Sequence, residues 1–198
     1  MNTETKSAIP FVGFPKMGRF SREVVVTEKI DGSNAQIFIG EDGTFLTGSR
    51  TRWITPQDDN YGFSRWAHEN KEELMKLGQG SHFGEWWGAG IQRKYGLTEK
   101  KFSLFNTSRW RKQGDGKPML SGQEFCPACC HVVPEIWRGN MDEVNQEIND
   151  WIKTLEVNGS FAEPGFMDPE GIVIYHTASN IGFKKTLVND HQPKSFTK

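Results

Sequence analysis

The sequence predicts an α+β domain of antiparallel sheets packed together, with helices at their flanks. Two observations carry that expectation. Short β-branched and aromatic runs recur along the chain, separated by Gly, Asp and Asn turn signals. Two or three helical segments are interspersed among them. At 198 residues, 35% of them apolar, the chain is expected to form one domain over residues 1–198 with a proper core.

The elements are expected in the following order. The first twenty residues lack a period and read as an irregular arm. Glu23 to Thr27 is valine-rich, as a buried strand would be, and Ala35 to Ile39 is a second apolar run. Asp31-Gly32-Ser33-Asn34 forms a turn between them. Glu41-Asp42-Gly43 is a hairpin signal, with Thr44 to Thr47 returning. Asp58-Asp59-Asn60 offers N-cap chemistry for a helix running to about Leu77, which Gly78 ends. Phe102 to Phe105 reads as a strand, Arg109 to Lys117 as an exposed basic loop, and His131 to Ile136 as a strand. Asp142 to Leu155 carries Val144, Ile148, Trp151, Ile152 and Leu155 at helical spacing. Gly171 to Tyr175 and Gly182 to Leu187 are the last strands, and a polar tail from Asn189 is expected to be flexible.

Composition narrows the function. A formal charge of −1 argues against a protein that coats nucleic acid non-specifically, while leaving local basic fields open. No apolar run approaches the about 20 residues of a membrane span, and the polar start lacks a signal peptide, so a cytoplasmic location is expected. The odd trio Cys126, Cys129 and Cys130 is no disulfide framework. With His131 adjacent, it lacks the second ligand pair that structural zinc needs, so buried, inert thiols are expected.

The chemistry concentrates at Glu28-Lys29-Ile30-Asp31-Gly32. A lysine ending an apolar strand is partly desolvated, and burial with nearby positive charge favours the neutral amine that a nucleophile requires. The glycine-containing turn admits close approach of a nucleotide. Alone, this lysine would be an ordinary turn residue. Other motifs follow in order: Gly48-Ser49-Arg50, Phe83-Gly84-Glu85-Trp86-Trp87-Gly88, Lys101-Phe102-Ser103-Leu104-Phe105-Asn106, Glu170-Gly171-Ile172-Val173-Ile174 and Phe183-Lys184-Lys185-Thr186. Together they resemble the ATP-dependent RNA ligase family of the covalent nucleotidyltransferases, in its minimal phage-type form.

The resemblance implies an ATP-grasp-like nucleotidyltransferase domain without an OB-fold domain, because the chain ends shortly after the last motif. It implies Lys29 as the residue adenylylated by ATP and Lys184, with or without Lys185, on the α-phosphate. Glu170 would hold Mg2+ or Mn2+. Asp31 belongs to the nucleotide-binding motif of Lys29. Arg50 (or Arg52) and Glu85 would address phosphates and ribose. Phe105 would stack on adenine, with Phe102 as the competing choice, and Glu28 would read the adenine amino edge and favour ATP over GTP. The implied substrates are 5′-phosphate and 3′-hydroxyl ends of RNA, with DNA ends or a non-catalytic binding module as alternatives. An accessory protein would supply substrate binding if the core alone does not. Arg109-Trp110-Arg111-Lys112 offers a phosphate-contacting loop with Trp110 against a base.

Overall fold

Valine at three successive positions of Glu23–Lys29 (β1) suits a strand covered on both faces. β1 takes that place in a computed structural model that describes residues 12–191. It lies inside a four-stranded sheet of order β10-β1-β11-β12, where β10 is Glu135–Asn140, β11 is Gly171–His176 and β12 is Ile181–Thr186. Both neighbours of β1 run antiparallel to it, and Lys29 stands opposite Gly171.

Alternation divides this sheet. Val24, Val26, Ile172 and Ile174 face α3 (Met141–Asn158), where Val144, Trp151 and Leu155 complete a core. Val25, Thr27, Lys29, Val173 and Tyr175 take the opposite face and look into a cavity. The Asn140 side chain caps α3 by accepting the Asp142 N–H at 3.2 Å.

After β1 the chain crosses at residues 30–32 into a second, six-stranded sheet of order β4-β3-β2-β5-β6-β9. Its members are β2 (Ser33–Ile39), β3 (Phe45–Gly48), β4 (Trp53–Ile54), β5 (Gly80–Gly88), β6 (Lys100–Leu104) and β9 (His131–Val132). Ala35, Ile37 and Ile39 point to one side and meet Phe63, Ala67, Leu74 and Leu77, while Asn34 and Glu85 point to the cavity. Between the two sheets lies the site.

Mixed α+β architecture with mainly antiparallel sheets therefore stands, and four local expectations change. β5, the longest strand among the described residues, falls where no strand was expected, because its Gly-Glu-Trp-Trp-Gly sequence conceals the alternation. The helix expected to run to Leu77 is broken at Asn70 into α1 (Phe63–Glu69), α2 (Lys71–Leu74) and a 3-10 turn (Met75–Leu77). Its N-cap position is Gly62, yet Asp59 still serves the first turn by accepting the N–H groups of Ser64 and Arg65 at 2.7 and 3.0 Å. The strand expected over His131–Ile136 splits into β9 and β10, one per sheet, because Pro134 between them offers no N–H to a ladder. Its carbonyl accepts the Glu28 N–H at 2.9 Å instead.

The basic loop also changes. Trp110–Arg111 forms β7 beside β8 (Glu124–Phe125), and Trp110 is buried under the Arg109 guanidinium, 4.4 Å from its ring centre. Trp110 thus faces the core, not a base. Of the expected tail, Asn189 to His191 is described and Asp190 ties it to β12 by accepting the Thr186 N–H at 2.8 Å. Residues 192–198, like residues 1–11 of the arm, lie outside the described residues.

Candidate active site

Lys29 is the last residue of β1 and Gly171 the first of β11, so their pairing delivers Glu170 to the Lys29 side chain. Nζ of Lys29 contacts Oε2 of Glu170, which is buried, while Lys29 keeps 20% of its side chain exposed on the cavity side. Gly171 has φ 151°, and a Cβ there would sit 2.1 Å from the Lys185 carbonyl oxygen. Only glycine allows β12 to close against β11 at this point.

The turn after Lys29 is fastened by a loop that follows β5. Tyr95, itself buried, accepts the Asp31 N–H at 2.9 Å, and Arg93 Nε lies 3.2 Å from Asp31 Oδ2. Arg93 also donates to the Asp168 carbonyl at 3.0 Å and contacts its carboxylate, tying the Lys29 turn to the approach to Glu170. Gln92, Lys94 and Tyr95 all have positive φ, 43°, 61° and 53°. Non-glycine residues reach that region at a cost, which the surrounding bonds hold in place.

Glu85 stands opposite Asn34 in the β2–β5 register, and its Oε2 accepts the Asn34 amide at 2.9 Å. Burial pushes its carboxyl from the ordinary 4.5 up to about 7, against the lowering effects of Asn34 and the Lys29 charge. The Glu170 charge acts on it in the same upward direction. Gly32 fits here because a Cβ would lie 2.5 Å from the Trp86 carbonyl oxygen and 2.9 Å from Glu85 Cγ. The lysine motif and the Glu85 motif are thus pressed against each other.

The cavity measures about 580 Å³ and is lined by Lys29, Glu85, Asn34, Thr27, Val173 and Phe105, among others. That size suits a small organic ligand. Phe105 is 41% exposed and donates its N–H to the Phe83 carbonyl at 3.0 Å, so both phenyl rings border the opening. Phe102 is fully buried against Phe63 and Trp66, which leaves Phe105 as the ring available to a ligand.

A family model described as RNA ligase matches residues 22–188. The chain belongs to the RNA ligase family. Solved structures agree at the level of the fold. A Naegleria gruberi RNA ligase variant in its apo form matches at 19% identity and TM-score 0.57, covering 84% of this chain and 50% of that one. A variant from the same organism with ATP and Mn matches at 18% identity and TM-score 0.55, covering 83% and 48%. An archaeal ATP-dependent RNA ligase matches at 19% identity and TM-score 0.56, covering 88% and 48%. This RNA ligase family chain spans about half the length of those structures. No curated protein sequence matches it.

Several family-motif residues are placed differently from expectation. Glu28 borders the cavity, but its carboxylate turns away from it and accepts from Ser160 Oγ at 2.6 Å and from the Phe161 and Ala162 N–H groups at 2.7 and 2.9 Å. Alternation forces this, since Lys29 faces the cavity and its strand neighbour cannot. The expectation that Glu28 reads adenine with its side chain is therefore corrected to a role in holding the 160–162 loop. Arg50 is exposed and does not line the cavity, and Arg52 is engaged by Asp58, with Nη2 2.9 Å from Oδ1. Lys184 pairs with Val173, which puts it on the Lys29 face, although exposed and outside the cavity wall. Lys185 pairs with Ile172 on the α3 face and lies 3.7 Å from Asp190.

Asn34, Phe83, Arg93 and Tyr95 join the site without having been singled out as its members. Phe83 had a signal, since it sits two residues from Glu85 and a strand would place both on one face. Arg93-Lys94-Tyr95 stands out in the sequence only as a basic stretch after the Glu85 motif, and nothing local marks Arg93 or Tyr95 as partners of Asp31. The three cysteines are free, with Cys130 buried and the others half-buried. Among the described residues no group of three or more His, Cys, Asp and Glu is set to hold a metal, and no helix is long and apolar enough to cross a membrane.

Proposed function

We propose that this chain is the adenylation domain of an ATP-dependent RNA ligase, joining 5′-phosphate and 3′-hydroxyl ends through a lysyl-AMP intermediate. The observation that carries the reading is Lys29 at the wall of a nucleotide-sized cavity, with Glu170 against its amine and Glu85 and Phe105 beside it. ATP with Mn is what one matched Naegleria ligase structure contains, and the matched archaeal ligase is ATP-dependent.

In the first step Lys29 Nζ attacks the α-phosphorus of ATP. The new P–N bond forms as the P–O bond to pyrophosphate breaks, and pyrophosphate leaves. The amine must shed its proton, and Glu170 Oε2 is the atom in contact with it. Phe105 and Val173, on facing sheets, bound the space for the adenine. Glu85 and Asn34 offer hydrogen-bonding groups to the ribose. Asp31 holds the turn through Tyr95 and Arg93, and Lys184, on the same sheet face as Lys29, supplies positive charge toward the phosphates. Next, an oxygen of the RNA 5′-phosphate displaces Lys29 from AMP and the amine regains its proton. A 3′-hydroxyl then attacks that phosphate and AMP departs.

The residues fit a hard divalent ion such as Mg2+ or Mn2+. Glu170 and Glu85 are close enough for each to feel the other's charge, and a pair of carboxylates plus substrate phosphates suffices for Mg2+, which retains several waters. Bound with Glu170, the ion would neutralise charge developing on the phosphates.

The test is incubation with α-labelled ATP or GTP and a divalent ion, followed by denaturation. Label from ATP on the wild type and none on Lys29→Ala is the expected result. No label from either nucleotide would sink the catalytic reading and leave a binding module. Sealing assays with RNA and DNA ends then separate the RNA ligase from a DNA-joining enzyme on the same core.

A further inference from the structure

A second cavity of about 700 Å³ opens beside the first, and the two share Thr107 and Trp110 as a common wall. Lys112, Lys117 and Phe161 line it, with Pro118, Leu120 and Ile136 supplying apolar surface. We propose that this groove seats a single strand of RNA, with backbone phosphates on Lys112 and Lys117 and a base against Phe161. The proposal rests on the ligase reading of the Lys29 cavity and locates the polynucleotide that such a ligase must hold.

Charge pairing points to an anionic occupant. The acids that line the groove each have an arginine partner, Asp115 on Arg111 and Glu135 on Arg138, the latter at 2.7 Å. Among the described residues the lysines are not matched in this way. Lys112 donates to His131 Nδ1 at 2.8 Å, and Lys117 to the Glu135 carbonyl at 3.4 Å. Burial, with the Lys112 and Lys101 charges, brings His131 down to about 4, so near neutral pH it offers Lys112 a neutral acceptor and no opposing proton charge. Two ammonium groups therefore remain over, exposed on the groove.

The aromatic side of the groove is held as well as placed. Phe161 is 42% exposed, while its N–H is fixed by Glu28 Oε2 at 2.7 Å. A ring presented to solvent on an anchored backbone, in one groove with two ammonium groups, is the combination that binds single strands with little sequence preference. An inorganic anion would use the lysines and ignore the ring. The shared residues Thr107 and Trp110 set a strand in this groove next to the Lys29 cavity, where its 5′-phosphate would react.

The experiment uses the full chain and a short, fluorescently labelled 5′-phosphorylated RNA, with binding followed by anisotropy between about 50 and 200 mM salt. Each phosphate contact on a single strand contributes about 0.7 to the slope of log affinity against log salt, so Lys112→Ala/Lys117→Ala is expected to flatten the slope by about 1.4. Phe161→Ala is expected to weaken binding about tenfold with the slope unchanged. Both variants should form lysyl-AMP at the wild-type rate, which also reports that they fold. Unchanged RNA binding in these variants overturns the proposal, as does a parallel fall in lysyl-AMP formation. So does displacement of RNA by a polyglutamate peptide at equal charge concentration, which would assign the groove to an acidic peptide. A wild type that forms lysyl-AMP yet binds no RNA overturns it too, whereas a wild type that forms no lysyl-AMP overturns the ligase reading instead.

Discussion

Glu28 and Lys29 are consecutive residues on one strand, and the structure uses them in opposite ways. Lys29 ends in a cavity, partly exposed and touching Glu170. Glu28 ends in a dry loop, 1% exposed, with both carboxylate oxygens accepting hydrogen bonds. The difference teaches that in this motif one face of β1 meets the cavity while the other holds the scaffold. A charge earns its place on the scaffold face only because the Ser160–Ala162 loop supplies three donors.

The contrast can be broken most directly at Glu28. Glu28→Ala leaves one buried and two part-buried donors unmet and removes a buried anchor, so a loss of about 3 kcal/mol is expected in urea unfolding. A loss no larger than that of an exposed substitution would show that the loop holds itself.

On the cavity face the corresponding acid is Glu85, and its signature is pH dependence rather than loss of fold. Its folded value of about 7 lies above the ordinary 4.5, so between those values the folded state binds the extra proton. Its contribution is fully present below about 4.5 and is lost as pH rises through about 7, by up to ~3 kcal/mol. Glu85→Gln should flatten that part of a stability profile measured from pH 4 to 8 by about the same amount. An identical slope in both proteins would place the proton elsewhere.

The smallest expected effect returns to the scaffold. Ser160→Ala removes one of three bonds to Glu28 and is expected to cost about 1 kcal/mol, with lysyl-AMP formation unaffected. If instead that variant loses labelling, the two faces are not independent.

What the sequence made legible follows the same division. Lys29, Glu170, Glu85 and Phe105 could be picked out as motif residues; Lys29, Glu85 and Phe105 line one cavity, and Glu170 lies buried against the Lys29 amine. The motif prefers Phe105 to Phe102, and β6 gives the physical reason by burying Phe102. The choice between Lys184 and Lys185 needed the β11–β12 register, which sets Lys184 on the face of Lys29. Glu28 was misread because its partners lie more than 130 residues away, beyond any local pattern. Trp110 was misread for a related reason, since a basic neighbourhood suggests exposure while β7 turns the indole under Arg109. Arg93 and Tyr95 reach the Asp31 turn from more than 60 residues away, in a loop where Gln92, Lys94 and Tyr95 have positive φ, which composition does not announce.

The position of β1 has a consequence for synthesis. It emerges early from the ribosome, yet its sheet partners come much later: Glu23 waits for Asn140 and Lys29 for Gly171. The six-stranded sheet has most of its members in the first half of the chain and can begin to assemble on its own. A nascent chain halted before Glu170 holds the lysine but neither the strand opposite it nor the carboxylate at residue 170. The Lys29–Glu170 contact is thereby withheld until residue 170 has been translated, and such late, long-range closure is the slow kind of folding step.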